Sequence, residues 1–337
     1  MIDLAETKKL LSQSTNIVIV PHKNPDGDAV GSALGLHFFF RQLGKNAQII
    51  VPNDYPKFLK WMPGQEHIIN FEKQNTQSLE HLQKADLIFT LDFNHLSRSG
   101  QMVETLVASK ASFIMIDHHQ QPDNYALVTY SDVTMSSTCE MVFNFIEAFG
   151  EATAITAEIA TCLYAGIMTD TGSFKYASTT SRTHRVVAEL IEKGAHNMQI
   201  HQQVFDTNSP TRLRLLGTAL NNLVILEDYR TAYITLSQDE LNKHQFNKGD
   251  TEGFVNYGLT IENIIFAVIL IENQQEGIIK MSFRSVGDFS VNEFARNHFD
   301  GGGHINAAGG RSEASLVDTV ARFRAVLKRY QNQLLQI

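Results

Sequence analysis

His22-Lys-Asn-Pro-Asp26-Gly-Asp28 sets an imidazole and two carboxylates close together, and Asp117-His118-His119 sets a carboxylate beside two imidazoles far downstream. Hard carboxylate oxygens mixed with imidazole nitrogens suit divalent Mn, and less clearly Mg, Fe, Co or Zn. Two further carboxylates follow apolar segments: Asp92 ends Leu87-Ile-Phe-Thr-Leu-Asp92, and Asp170 lies in the polar turn Met168-Thr-Asp170-Thr-Gly-Ser. Singly, these residues are ordinary. An Asp after a strand is usually a helix cap or turn residue, and Asp28 could equally cap the helix that follows it. A lone His is more often a satisfied core residue than a ligand. Together they differ, because even four of these five carboxylates, converging without cations, would repel one another by several kcal/mol. Two divalent ions would balance four carboxylates charge for charge.

These residues need elements that bring them to one place. Asn16-Ile-Val-Ile-Val20 and Ser112-Phe-Ile-Met-Ile116 are short, rich in β-branched residues and apolar on both faces, as buried parallel strands are. Each runs into one of the clusters. Strand signals fall at 16–21, 47–51, 86–92, 112–116 and 126–130. Helical patterns lie near 2–12, 28–43, 78–84, 99–109, 137–149, 154–168 and 180–193, with Gly44 and Gly194 as stop signals. Gly27, between two carboxylates, suggests a tight turn. The alternation predicts an α/β fold for 1–194, a doubly wound and mostly parallel sheet whose adjacent strand ends converge on one crevice. Residues 195–222 turn polar and helical and read as a linker. Over 223–337, a hairpin at 224–235, a pairing of 265–271 with 277–283, a helix near 290–298 and a last helix near 315–334 predict a smaller α+β domain.

At 337 residues the chain exceeds one average domain, and a hydrophobic content of 43% is ample for packed cores. A formal net charge of −8 excludes a generic nucleic-acid binder held by a broad basic surface. Basic and aromatic residues do not interleave as in a single-strand groove, so long DNA is not an expected substrate. The 21 phenylalanines fall largely at core spacing, as in His37-Phe-Phe-Phe40. Cys139 and Cys162 sit in helical apolar patterns and are expected as buried free thiols in a reducing compartment. The N-terminal residues lack the layout of a signal peptide, and the apolar run 264–271 is too short to span a bilayer. A cytoplasmic protein without a membrane partner is expected, with a homodimer as one open assembly.

His22-x-x-Pro25-Asp26-Gly27-Asp28-Ala29, Asp92, Asp117-His118-His119 and Thr169-Asp170-Thr171-Gly172 resemble, in order, the four motifs of the DHH phosphoesterase superfamily. Gly301-Gly302-Gly303-His304-x-x-Ala307-Ala308-Gly309 resembles the signature of its DHHA1 domain. Length and domain pairing are most similar to the compact NrnA-type members, which combine oligoribonuclease and 3′-phosphoadenosine 5′-phosphate (pAp) phosphatase activities. The resemblance implies two Mn2+ per chain, with Mg2+ or Co2+ as substitutes. One would be held by His22, Asp26 and Asp92, the other by Asp28, Asp92, His118 and Asp170, with Asp92 bridging. His119 would then face substrate, as a phosphate contact or as proton donor to the leaving oxygen. The residues by themselves support membership of the cluster and assign no ligand to an individual ion.

Two metals suit phosphoester hydrolysis. Arg98 is a candidate phosphate clamp, or a solvated surface arginine. Ser136-Ser137-Thr138 opens the helix 137–149, where hydroxyls and free amides could hold an anion or simply cap the helix. In the second domain the glycine run could bring backbone N–H groups close to a ligand. Arg284, Gly302, Gly303 and His304 are accordingly assigned to phosphate or nucleotide binding, since the resemblance implies a second domain that grips substrate. The expected activity is hydrolysis of short oligoribonucleotides (nanoRNA, 5′-phosphorylated dinucleotides), with pAp as a further substrate. A cyclic-dinucleotide phosphodiesterase is the alternative, although the chain lacks the membrane and sensor modules of dedicated ones. A RecJ-like DNA exonuclease would need an additional nucleic-acid-binding domain and basic charge. The related type of pyrophosphatase would carry a Ser-Arg-Lys-Lys-Pro run, which is not found. A non-catalytic nucleotide sensor predicts lost metal ligands, and every expected position is filled.

Overall fold

A computed structural model describes residues 2–336, and the chain divides into two compact units, Met1–Thr207 and Asn208–Ile337. In the first unit, β1 (Ile17–Pro21), β2 (Ala47–Val51), β3 (Ile68–Asn70), β4 (Leu87–Leu91), β5 (Ser112–Asp117) and β6 (Val128–Ser131) form one sheet in the order β3-β2-β1-β4-β5-β6. Every pairing is parallel. The strand order reverses between β1 and β4, which opens a crevice at their carboxyl ends. The edge strand β3 was not expected; three residues are too few for a strand pattern to stand out from a loop.

Among the described residues, eight α-helices accompany this sheet: α1 (Leu4–Gln13), α2 (Gly27–Gln42), α3 (Asn75–Lys84), α4 (Val103–Val107), α5 (Thr138–Ala148), α6 (Ala157–Asp170), α7 (Ser181–Glu192) and α8 (Asn197–Phe205). Alternate residues of β1 enter opposite cores, because side chains of a strand alternate between faces. Ile17 and Ile19 pack with α2, α5 and α6, while Val18 and Val20 pack with Leu82 of α3 and Leu106 of α4. The pattern expected as one helix over 99–109 is a 3-10 turn, Leu96–Met102, followed by α4. Gly27 is not a turn residue. It is the first residue of α2, and a Cβ there would lie 2.2 Å from the Thr169 hydroxyl of α6, so the glycine allows two helices to approach closely.

The second unit holds α9 (Pro210–Asn221), β7 (Val224–Leu226), β8 (Thr231–Leu236), α10 (Gln238–Lys243), β9 (Phe266–Asn273), β10 (Ile278–Ser285), α11 (Val291–His298), β11 (Gly302–Gly303), β12 (Ala307–Ser312), α12 (Leu316–Leu327) and α13 (Gln331–Gln336). Its mixed sheet runs β11-β12-β10-β9-β8-β7, with only β8 and β9 parallel. Phe266, Val268 and Leu270 face one core with Phe294 and Phe323; Ala267 and Ile269 face another with Leu215 and Leu241. The segment read as a linker is divided between the units. Ile200 of α8 is buried in the first core, and Leu215 and Ala219 of α9 are buried in the second. The last helical pattern breaks at a 3-10 turn, Lys328–Tyr330. Cys139 and Cys162 are buried free thiols. Among the described residues, no helix is long and apolar enough to cross a membrane.

Candidate metal centre

The carboxyl ends of β1, β4 and β5 deliver the side chains singled out in the sequence. His22 follows β1 directly. Asp26 caps α2 by accepting N–H bonds from Asp28 and Ala29, both 3.1 Å, so Asp26 and not Asp28 is the cap. Asp92 follows β4 with φ of 65°, a left-handed conformation that Asp tolerates better than most residues and that turns the chain sharply off the strand. Asp117 ends β5, and His118 and His119 come next. Asp170 is the last residue of α6.

Ring orientation is set by the backbone. His22 donates from Nδ1 to the Lys23 carbonyl at 2.8 Å, which turns Nε2 toward Asp92 (3.3 Å) and Asp26 (3.8 Å). His118 points Nδ1 at the Met135 carbonyl, 3.3 Å away. Its Nε2 lies 3.4 Å from Asp92, 3.5 Å from Asp170 and 3.7 Å from Asp28. A histidine whose Nδ1–H is committed to a carbonyl presents Nε2 as a ligand. Ligand atoms of His22, Asp26 and Asp92 lie within 4.8 Å of one another, and so do those of Asp28, Asp92 and His118. Asp92 belongs to both groups. This mixture of imidazole nitrogen and carboxylate oxygen fits divalent cations.

The cluster is short of positive charge. Burial depresses the His22 imidazole, but Asp26 and Asp92 more than reverse this and raise its pKa to about 10. Burial opposes protonation of His118 as well, yet Asp92, Asp170 and Asp28 carry it well above its ordinary value. Burial and the charges of Asp92 and Asp170 push Asp28 well above the carboxylate range. Asp92 sits well below it: burial works against the anion, and His118 and His22 outweigh burial. A site that draws protons in this way is one that divalent ions would neutralise.

His119 reaches the same cluster, with Nδ1 3.7 Å from Asp92 Oδ1, but its hydrogen bond goes elsewhere. Its Nδ1 donates to Asp117 Oδ1 at 2.7 Å, and both residues are buried. Burial lowers its pKa, Asp117 works against that shift, and Arg98 adds to it. The same arginine also lowers His22, so its charge reaches both imidazoles. The turn that carries Arg98 is tied to the end of β1 by a bond from the Lys23 amide to the Arg98 carbonyl, 2.6 Å. Two residues bonded to the cluster had no part assigned in it from the sequence. Asp117 was grouped with the cluster but given no role, and here it orients His119. Thr138 donates its hydroxyl to Asp92 Oδ1 at 3.0 Å. The sequence marked it only as part of the Ser136-Ser137-Thr138 helix start.

The Ser136 and Ser137 hydroxyls both have partners within the protein. Ser137 caps α5 by accepting from the Glu140 amide at 3.1 Å, and Ser136 gives its hydroxyl to the Glu140 carboxylate. The first amides of α5, Thr138 and Cys139, donate to the Asp28 carboxylate at 2.6 and 2.8 Å. The anion at this helix end is the protein's own. In the second unit, Arg284 lies on β10 opposite Ala307 of β12 and donates to the Phe283 carbonyl at 2.9 Å. Gly302 and Gly303, expected as a backbone nest, form the short strand β11, paired with Gly309 and Ala308 of β12. A Cβ on the adjacent Gly301 would lie 2.0 Å from the Gly309 carbonyl oxygen, so these glycines permit close strand approach. His304 occupies the turn between β11 and β12, its amide bonded to the Ala307 carbonyl at 2.7 Å.

A family model described as DHH family, N-terminal domain, matches residues 16–167, and one described as DHHA1 domain matches residues 228–333. The chain is 31% identical to the bifunctional oligoribonuclease and PAP phosphatase NrnA of Thermus thermophilus, across 94% of this chain and 90% of that one. It is 25% identical to the cyclic-di-AMP phosphodiesterase GdpP of Bacillus subtilis, across 96% of this chain but 49% of that protein. An exopolyphosphatase-related protein from Bacteroides fragilis has a solved structure that matches with a TM-score of 0.94 and 40% identity, covering 99% of this chain and 98% of that one.

Proposed function

As the chain belongs to the DHH family and carries its DHHA1 domain, we propose that it is a metal-dependent phosphoesterase acting on short oligoribonucleotides and on pAp. The observation that carries this reading is Asp92, shared by two groups of converging ligand atoms at the switch point of a parallel sheet. Two Mn2+ would be held there, one by His22, Asp26 and Asp92 and one by Asp28, Asp92, His118 and Asp170; Mg2+ or Co2+ would substitute. Such ions supply Lewis acidity toward phosphoryl oxygens and the positive charge that the carboxylates lack.

The chain's own residues do the rest. Arg98, whose charge reaches both His22 and His119, binds the phosphate and orients it. His119 has its Nδ1–H committed to Asp117, so a neutral ring presents Nε2 as an acceptor and only the imidazolium can donate there. Protonated His119 therefore gives its Nε2 proton to the leaving ribose oxygen, and Asp117 stabilises the charged ring until it does. In the second unit, Arg284, Gly302, Gly303 and His304 are the residues assigned to phosphate or nucleotide binding.

The NrnA likeness extends over nearly the whole of both proteins, whereas the cyclic-di-AMP enzyme is about twice as long as the stretch it shares. Linear substrates are therefore favoured over cyclic ones. A non-catalytic sensor would have no use for the filled ligand positions and the Asp117–His119 pair. The test is incubation of Mn2+-loaded protein with pAp, 5′-phosphorylated dinucleotides, cyclic dinucleotides and pyrophosphate. Mononucleotides released from the dinucleotides, and phosphate from pAp, are the expected products. Turnover confined to cyclic dinucleotides or pyrophosphate would replace this reading.

A further inference from the structure

We propose that Thr138 is a positioning residue of the metal centre, holding Asp92 by its hydroxyl and Asp28 by its amide so that both carboxylates present fixed lone pairs to the ions. The proposal rests on the metal reading above and assigns a role outside the ligand set. Thr138 is the first residue of α5 and is fully buried. Its Oγ1 donates to Asp92 Oδ1 at 3.0 Å, and its backbone N donates to Asp28 Oδ2 at 2.6 Å. The Cys139 amide takes the other Asp28 oxygen at 2.8 Å. Asp28 lies in the first turn of α2 and Asp92 follows β4, and Thr138 touches both.

A carboxylate offers about four lone-pair sites, so one donated bond at an oxygen leaves others for a ligand while restricting rotation. Restriction matters here because Asp28, Asp92 and Asp170 repel one another, and an unanchored carboxylate would swing away from its neighbours. The anchor is itself pinned. Ser137 caps α5, while Ser136 and, from α7, Thr183 (3.0 Å) give their hydroxyls to the buried Glu140 carboxylate one turn on. Sequence position 138 must therefore supply a short hydroxyl in a closed space. Serine can do that and valine cannot.

A threonine that merely begins a helix predicts something different. Its loss would alter stability and leave metal affinity alone. The experiment is titration of metal-free full-length protein with Mn2+, following free Mn2+ by its electron paramagnetic resonance signal, for wild type, Thr138→Val and Thr138→Ser. Removing a group that orients a ligand typically weakens binding ~10–100-fold, and Thr138→Val should fall in that range with an unchanged circular dichroism spectrum. Thr138→Ser should recover most of the lost affinity. Wild-type affinity in Thr138→Val, or equal weakening in both variants, overturns the proposal. Should the valine variant fail to fold, Thr138→Ala against Thr138→Ser makes the same comparison. Wild-type protein that binds no Mn2+ overturns the metal reading itself, a result distinct from a failure of Thr138 alone.

Discussion

Replacing Asp117 with asparagine removes one charge from behind His119 and little else. The bond from His119 Nδ1 to Asp117 Oδ1 is 2.7 Å, and the two residues are 7% and 0% exposed, so water cannot screen it. The asparagine carbonyl can still accept that bond. Its amide group would take the place of Oδ2, which is buried without a hydrogen-bond partner, at a stability cost of about 1–3 kcal/mol. A hydrogen bond to a charged group is worth about 1.5–3 kcal/mol, and each 1.36 kcal/mol is tenfold in rate. If the bond strengthens fully only when His119 is protonated, kcat should fall roughly 10- to 150-fold. The pH dependence has a definite sign. Burial and Arg98 lower the His119 pKa and Asp117 raises it, so Asp117→Asn lowers it further and depletes the imidazolium. The loss should therefore deepen as pH rises. His119→Ala, which removes the donor, should cost ~10²–10⁴-fold while keeping its metal. The decisive comparison pairs a 5′-phosphorylated dinucleotide, whose ribose oxygen needs a proton to leave, with bis-p-nitrophenyl phosphate, whose phenolate does not. Steep losses on the first and small ones on the second are expected. Equal losses on both substrates, or metal lost from His119→Ala, would refute the proton-donor assignment.

Asp92→Asn should abolish hydrolysis of every substrate in a folded protein, because Asp92 faces both His22 (3.3 Å) and His118 (3.4 Å); elemental analysis showing two tightly held ions with near-normal turnover would contradict it. Mn2+ affinity should increase with pH. His22, raised to about 10, and His118, raised as well, must shed Nε2 protons to become ligands, so calorimetry near neutral pH in buffers of different ionisation enthalpy should register proton release on binding. No release would mean that these rings are not ligands. Arg284→Ala should lower kcat/KM on 5′-phosphorylated dinucleotides by about ten- to a hundredfold and spare bis-p-nitrophenyl phosphate, as loss of a charge-assisted phosphate contact would. Equal losses would assign Arg284 to the fold, through its bond to the Phe283 carbonyl.

The strands that carry the chemistry were legible because a buried parallel strand has no polar face. Ile17 to Val20 are all buried, and an unbroken β-branched run is what that burial requires. The cluster was legible because nothing but function or capping places so many carboxylates and imidazoles at the ends of strands and helices. The β3 edge was too short to read. The local roles of Ser136, Ser137 and the glycine run were not legible for a common reason: a hydroxyl or a glycine is compatible with an anion, a cap or a close backbone contact, and its neighbours set the local structure. Glu140 claims Ser136, the Glu140 amide claims Ser137, and β12 claims Gly302 and Gly303. The reason for Gly27 lies on another helix, at Thr169.

The order of strands and helices, and the residue types at the strand ends, were determined by local patterns of burial and by composition, which any single sequence carries. Only the tertiary structure decided how those groups face one another. The Lys23 and Met135 carbonyls turn two imidazoles so that Nε2 points inward, and Asp117 holds a third by Nδ1. The amides of α5 fix Asp28 from more than a hundred positions away. Hydrogen bonds are directional and short, so they depend on which remote atoms packing brings within about 3 Å, and no local pattern records that.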